Sequence, residues 1–345
     1  MRGAERTFAA IADCWPDAPI YTALYSAKAT EKRFASRKVQ TSFLQLLPVR
    51  QRGFRGLLPL YPRAVERLPV SRHDLVVSSS SAFAHGVRVN TDAVHICYCH
   101  TPFRYAWHER DLALREAPTI ARPLLRAMLA RQRRWDLAAA ARVTHYIANS
   151  QITRERIRDF YGRDASVIHP PVETGWLEPG TPEDFLLVVA ELAPHKRVHI
   201  ALEAARLAGR PIKVVGAGPE LARLKSSFGG GAEFLGRVST AELATLYPRA
   251  LALVVPNVEE FGIAAVEAQA AGRPVVALDA GGTRETVVNG ETGVLVEEGT
   301  PKVFAEALSQ TDFESFSAAR IRHHAEQFSR ERFIERFTAE VSRLA

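Results

Sequence analysis

The sequence predicts an α/β protein of two Rossmann-like halves facing each other across one cleft. Three observations predict it. Short apolar runs recur along the 345 residues, most of them followed by Ala/Leu-rich stretches of helical pattern, the mark of parallel strands joined by right-handed crossovers. Near the middle, Pro170-Pro171 followed by Val-Glu-Thr-Gly-Trp reads as a linker. The charge also divides there: residues 1–170 hold 27 Lys/Arg against 14 Asp/Glu, a formal +13, and residues 171–345 hold 18 against 24, or −6. A basic half joined to an acidic half suggests two domains with different partners, 1–170 and 171–325. At 47 % hydrophobic content the chain is long enough to give each its own core.

The apolar runs predict strands over 74–78, 94–98, 145–148, 166–169, 185–190, 212–215, 233–235, 251–255 and 274–278. Cys97 and Cys99 alternate on one face of such a strand, where they read as small buried hydrophobes; with Cys14 they form no disulfide framework, and a reducing cytoplasm fits. No apolar stretch approaches the ~20 residues needed to span a bilayer, and no signal peptide is visible. Basic charge concentrates over 50–63, where apolar residues interleave with arginines, and over 122–142. Such stretches can lie on an anionic membrane surface, although a solvated arginine-rich face has the same composition. No recognition module accompanies the charge, so nucleic acid is not an expected partner.

The most informative stretch is Pro256-Asn-Val-Glu-Glu-Phe-Gly-Ile-Ala-Ala-Val-Glu267. A strand ends at Pro256 and a helix begins near Ile263, which places Glu259 in the connecting loop and Glu267 about one turn into the helix. The amides of Phe261, Gly262 and Ile263 lie at the helix start, where they favour negative charge or hydroxyl oxygens. Two carboxylates beside such amides suit a ligand rich in hydroxyls and carrying phosphate, such as a nucleotide sugar. Acids that only complement a helix dipole would look the same.

The flanking residues decide between these. Glu259 and Glu267 resemble the Glu-x7-Glu signature of retaining, GT-B-fold glycosyltransferases of family 4. The likeness continues through Phe185-LLVVAELAPHKRVHIALEAA, Pro211-IKVVGAGPEL, Phe234-LGRVS, Gly272-RPVVALDAGGTRETV and Gly290-ETGVLV. In the first half, Asp74-LVVSSSSAFAHGV, Cys97-YCHTPFRYAW and Ile147-ANS resemble the short, WbaZ-like mannosyltransferase branch. The resemblance implies the GT-B fold and retaining transfer of a sugar, with GDP-mannose the family-based donor. It implies a glycan or lipid-linked acceptor in cell-surface polysaccharide synthesis, and a last helix, 326–345, that packs back on the first domain. Family members begin with a strand and a glycine-rich turn. Here Met1-Arg-Gly-Ala-Glu-Arg6 starts inside that turn, so the first strand is expected to be missing, through a misplaced start or in fact.

The resemblance also assigns residues. Lys196 corresponds to the phosphate lysine; an ammonium at a strand mouth stabilises charge developing on a departing diphosphate. The family's arginine five positions earlier is Glu191 here, and Arg197 is the candidate replacement. Glu267 is expected on the ribose hydroxyls, and Glu259 on hydroxyls of the transferred sugar beside the amides of 261–263, although Glu260 adjoins it. Gly3 is expected to belong to the turn that holds the donor diphosphate. His100, at a strand end, resembles the acceptor-domain histidine that lines the reaction centre, with Arg104 and Tyr105 beside it for acceptor or diphosphate. No Asp-x-Asp triplet and no His/Cys cluster with metal spacing occurs, so no cofactor is expected and the reaction is expected to be metal-independent. A catalytically weak member acting as an assembly partner is the alternative, motivated by Glu191 and the short N-terminus. An epimerase on the same architecture has less support.

Overall fold

The computed structural model describes residues 3–47 and 54–345, and its contacts divide the chain into two compact units, 1–169 with 333–345 and 170–332. In the first unit, helix α1 (Gly3–Cys14) precedes two short parallel strands, β1 (Ile20–Thr22) and β2 (Val39–Thr41), and helix α2 (Tyr61–Glu66). Then come β3 (Leu75–Ser80), β4 (Val94–Cys99), helices α3 (Arg110–Glu116) and α4 (Arg122–Ala140), β5 (His145–Ala148), α5 (Gln151–Tyr161) and β6 (Ala165–Val167). Strands β3 to β6 form a parallel sheet in chain order. β4 is buried along nearly its whole length, as expected of a strand covered on both faces. Burial pushes the Cys97 thiol up to about 12 and the His95 imidazole down to about 3, so both are neutral packing groups.

The second unit contains β7 (Leu186–Val189), α6 (Val198–Leu207), β8 (Ile212–Val215), α7 (Leu221–Phe228), β9 (Ala232–Gly236), α8 (Thr240–Arg249) and β10 (Ala252–Val255). They are followed by α9 (Ile263–Ala270), β11 (Val275–Leu278), α10 (Thr283–Thr286), β12 (Gly293–Val296), α11 (Pro301–Gln310) and α12 (Ala318–Glu326). The six strands pair in parallel in the order β12-β11-β10-β7-β8-β9. This is the doubly wound Rossmann order, and its topological switch point lies between β7 and β10, where ligands of such sheets bind beyond the strand carboxyl ends. β10 and β11 are wholly buried, with apolar clusters on either side of the sheet.

The last helix, α13 (Arg330–Leu344), is strongly amphipathic by sequence. Its Phe333, Phe337 and Val341 are buried with Ile11, Ile96, Tyr98 and Ile147 in one core of the first unit. The Tyr98 ring meets both phenylalanines edge-on, and its hydroxyl donates to the Ile168 carbonyl at 2.9 Å. No helix among the described residues is long and apolar enough to cross a membrane.

The predicted strands match the observed ones to within two residues at each end. β1, β2 and β12 were not expected: each has only three or four residues, and β1 and β2 also carry polar residues among few apolar ones. Residues 50–53 of the basic stretch over 50–63 lie outside the described residues.

Candidate active site

Two loops of the second unit straddle the switch point. After β7 the chain passes the exposed Glu191 and makes a 3₁₀ turn, Pro194–Lys196. It enters α6 through Arg197 in the left-handed region, φ 48°. That conformation is uncommon for a residue with a Cβ and concentrates at functional sites. After β10 the second loop carries Glu259. The Lys196 ammonium donates to both oxygens of Glu259, at 2.6 and 2.7 Å, and Asn257 Nδ2 donates to Oε1 at 3.0 Å. Both side chains of the ion pair are 19 % exposed, so the pair is half-sheltered and reachable. The sequence assigned these residues separate ligands; the structure brings them into contact across 63 positions.

The Glu259 loop is held rigidly from behind. The Gly282 amide donates to the Glu259 carbonyl at 2.7 Å. A Cβ at Gly281, φ 71°, would meet that carbonyl at 2.4 Å, and one at Gly282 would meet the Phe261 Cα at 2.3 Å. The two glycines are therefore needed for close approach of two backbones. The Gly282 amide is thereby engaged by the Glu259 carbonyl. Phe261 turns its ring into the core, edge-on to Phe328 at 5.4 Å. Gly262, φ 98°, caps α9 with a conformation that L-residues rarely adopt. The segment from Gly216 to Gly218 has a similar packing reason, since Cβ atoms at these two glycines would strike the carbonyls of Ala190 and Leu192.

Glu267, one turn into α9, is only 6 % exposed, and its Oε2 accepts from the hydroxyl of the fully buried Tyr247 at 2.8 Å. Helix α8 thus orients this carboxylate, a partner that sequence reading missed because it depends on how two helices pack.

In the first unit, His100 follows β4. Its amide donates to the Ser80 carbonyl at 2.8 Å, and its Nε2 shares a hydrogen bond with Ser79 Oγ at 2.9 Å. Arg104 pairs with Glu109 at 3.3 Å, and Tyr105 packs edge-on against Phe103. The segment carrying them is anchored by Trp107, whose indole donates to the buried Asp136 at 2.7 Å. The Tyr161 hydroxyl donates to the same carboxylate at 2.8 Å, and His85 Nε2 lies 3.2 Å from its other oxygen. Nothing in the sequence singled out Asp136 except that it is the one acid in an arginine-rich run. Gly3 needs a correction: it is already the first residue of α1 and its carbonyl accepts from Thr7 Oγ1, so the described residues hold a helix there and not a turn.

Comparison with known proteins accords with this geometry. Residues 1–176 match the model for Glycosyltransferase Family 4, and residues 177–326 match that for glycosyl transferases group 1. A protein of Geodermatophilus obscurus named D-inositol 3-phosphate glycosyltransferase is 34 % identical over 235 residues, 58 % of this chain and 52 % of that one. The D-rhamnosyltransferase WbpZ of Pseudomonas aeruginosa is 29 % identical over 233 residues, 63 % of this chain and 60 % of that one. The chain thus spans about half the length of the curated relatives it matches. Among solved structures, Anabaena Alr3699/HepE in complex with UDP and glucose superposes with a TM-score of 0.71 at 20 % identity, covering 99 % of this chain and 96 % of that one. Sucrose-phosphate synthase from Thermosynechococcus elongatus gives 0.70 at 17 % identity, covering 90 % and 84 %. Matched over half its length by one family model and over most of the rest by the other, the chain belongs to the group 1 and family 4 glycosyltransferases, with the GT-B fold.

Proposed function

We propose that the protein transfers a sugar, with retention, from a nucleotide sugar to a hydroxyl of a glycan or lipid-linked acceptor. The observation that carries this reading is the Lys196–Glu259 pair on the two loops flanking the switch point of the second unit. The ammonium is suited to the donor diphosphate and neutralises charge as the diphosphate leaves. Arg197, immediately beside it, adds a second cation where Glu191 replaces the family's arginine. Glu259 accepts hydrogen bonds from the sugar hydroxyls, and Glu267, braced by Tyr247, from the ribose. The amides of 261–263 at the head of α9 complete the donor side. His100, with Arg104 and Tyr105 in its loop, serves the acceptor side of the reaction centre.

Leaving-group stabilisation is assigned to Lys196 and Arg197 rather than to a metal ion. The sugar is proposed to be mannose and the donor GDP-mannose, on the likeness to the WbaZ-like branch. The relatives named above act on other sugars or acceptors, and the Anabaena protein was solved with UDP. The exposed Glu191 favours a second reading, a weakly catalytic assembly partner. Calorimetric titration with GDP-mannose, UDP-glucose and UDP-N-acetylglucosamine, followed by assay of nucleotide release, separates the two. The expected result is binding and turnover of GDP-mannose in preference to the others. Turnover of a UDP-sugar instead would overturn the donor assignment, and no binding of any of them would leave the assembly reading.

A further inference from the structure

We infer that the outward face of α4, with the residues just ahead of it, docks on an anionic lipid surface. The exposed positions of this helix are Pro123, Leu124, Arg126, Ala127, Ala130, Arg131, Arg133, Arg134, Leu137 and Ala138. The face therefore bears only arginines and apolar side chains. A face built for water mixes both signs of charge and carries amides and hydroxyls; the exposed positions of α4 have none, Thr119 and Glu116 being the exposed polar groups just ahead of it, and the helix's single acid, Asp136, is buried on the opposite side.

The arginines are also left without counter-charges. Arg133 lies over the Trp107 ring at 4.2 Å, but among the described residues Arg126, Arg131 and Arg134 have no carboxylate partner. Some exposed arginines elsewhere are paired, for example Arg206 with Glu203, Arg249 with Glu183, Arg284 with Asp279 and Arg343 with Glu340, and others such as Arg237 and Arg320 stand singly among the described residues; what sets Arg126, Arg131 and Arg134 apart is that they share the exposed side of one helix. Charge of one sign without local neutralisation attracts a surface of the other sign. At the leading end, Ile120 is 94 % and Leu124 77 % exposed, one helical turn apart. Two aliphatic side chains held in water beside a row of arginines match a bilayer interface, where the guanidinium groups meet phosphates and the aliphatics enter the acyl boundary. A nucleic acid shares the phosphate chemistry but offers nothing to Ile120 and Leu124, and the face has no aromatic platform for bases.

This inference rests on the proposed function only for its purpose, access to a lipid-linked acceptor; the docking itself is read without donor or turnover. The test is co-sedimentation of the full chain with vesicles of phosphatidylcholine alone, or with about 30 % phosphatidylglycerol. We expect binding to the anionic vesicles only, weakening as salt is raised. Arg131→Glu with Arg134→Glu should lower the partition about tenfold or more. Leu124→Ser should lower it while keeping the salt dependence. The charge-neutral pair Arg131→Gln and Arg134→Gln guards against misfolding, and nucleotide-sugar affinity should be unchanged in every variant. Equal binding to neutral vesicles, no binding, or variants that bind like the wild type would overturn the inference. So would tighter binding to a duplex or single-stranded oligonucleotide than to the vesicles.

Discussion

Lys196→Ala is expected to lower the transfer rate by on the order of 10²–10³-fold, the usual cost of removing one electrostatic partner of a charge that develops in the transition state. The ammonium sits between two tasks. In the structure it donates to both Glu259 oxygens; under the proposed function it also neutralises the departing diphosphate. Its loss removes the leaving-group charge and also leaves Glu259, half-sheltered, with only Asn257 from this cluster. Steady-state kinetics separate the contributions. A group that acts in the transition state lowers kcat and kcat/KM together. Glu259→Gln keeps the size and removes the charge, so it should restore much of the order of the loop but not the activity. If Lys196→Ala changed KM alone, the residue would be a binding group with no part in departure of the diphosphate.

Glu267→Ala is expected to weaken donor binding by about 1–3 kcal/mol, about fivefold to somewhat over a hundredfold, the range for losing hydrogen bonds to a charged acceptor. The Tyr247 bond sharpens the expectation. The hydroxyl fixes the carboxylate from below, so Tyr247→Phe should give a smaller loss in the same direction by loosening it. Calorimetry with the nucleoside diphosphate and with the full nucleotide sugar distinguishes the sites. The Glu267 variant should lose affinity for both, since both carry the ribose. A Glu259 variant should lose affinity chiefly for the sugar-bearing form. Unchanged affinity in Glu267→Ala would remove the ribose assignment and make this residue a structural partner of α8.

Much of the architecture was legible because parallel strands buried on both faces are written as uninterrupted apolar runs. Ala252–Val255 and Val275–Leu278 are examples, each set off by proline, glycine or a polar loop. The short strands Ile20–Thr22 and Val39–Thr41 carry polar residues among few apolar ones and leave no such trace. Strand order is another matter. That β7 and β10 lie side by side is a tertiary fact, and it makes neighbours of the loops bearing Lys196 and Glu259. Motif spacing located the carboxylates, since both belong to one contiguous loop and helix. It could not show that Glu259 is claimed by Lys196, or that Glu267 is claimed by Tyr247, because those contacts span 63 and 20 positions. A glycine pair after a strand, such as Gly281-Gly282, serves either close approach of a ligand or close packing of two loops. Here they are consumed by packing one loop on another, which sequence cannot distinguish from ligand approach. Asp136 was hidden for a similar reason: an acid in a basic helix looks like a surface counter-charge until the helix face it occupies is known.

The proposed transfer requires the loops after β7 and β10 to form the seat of an activated sugar. Hydrogen exchange of the intact chain, with and without saturating GDP-mannose or UDP-glucose, tests this most directly. Slowed exchange is expected over residues 194–197 and 256–267 with whichever donor binds, with loss of that protection in Lys196→Ala. Protection confined to other segments, with these two loops exchanging at the same rate in the presence of a bound donor, would contradict it.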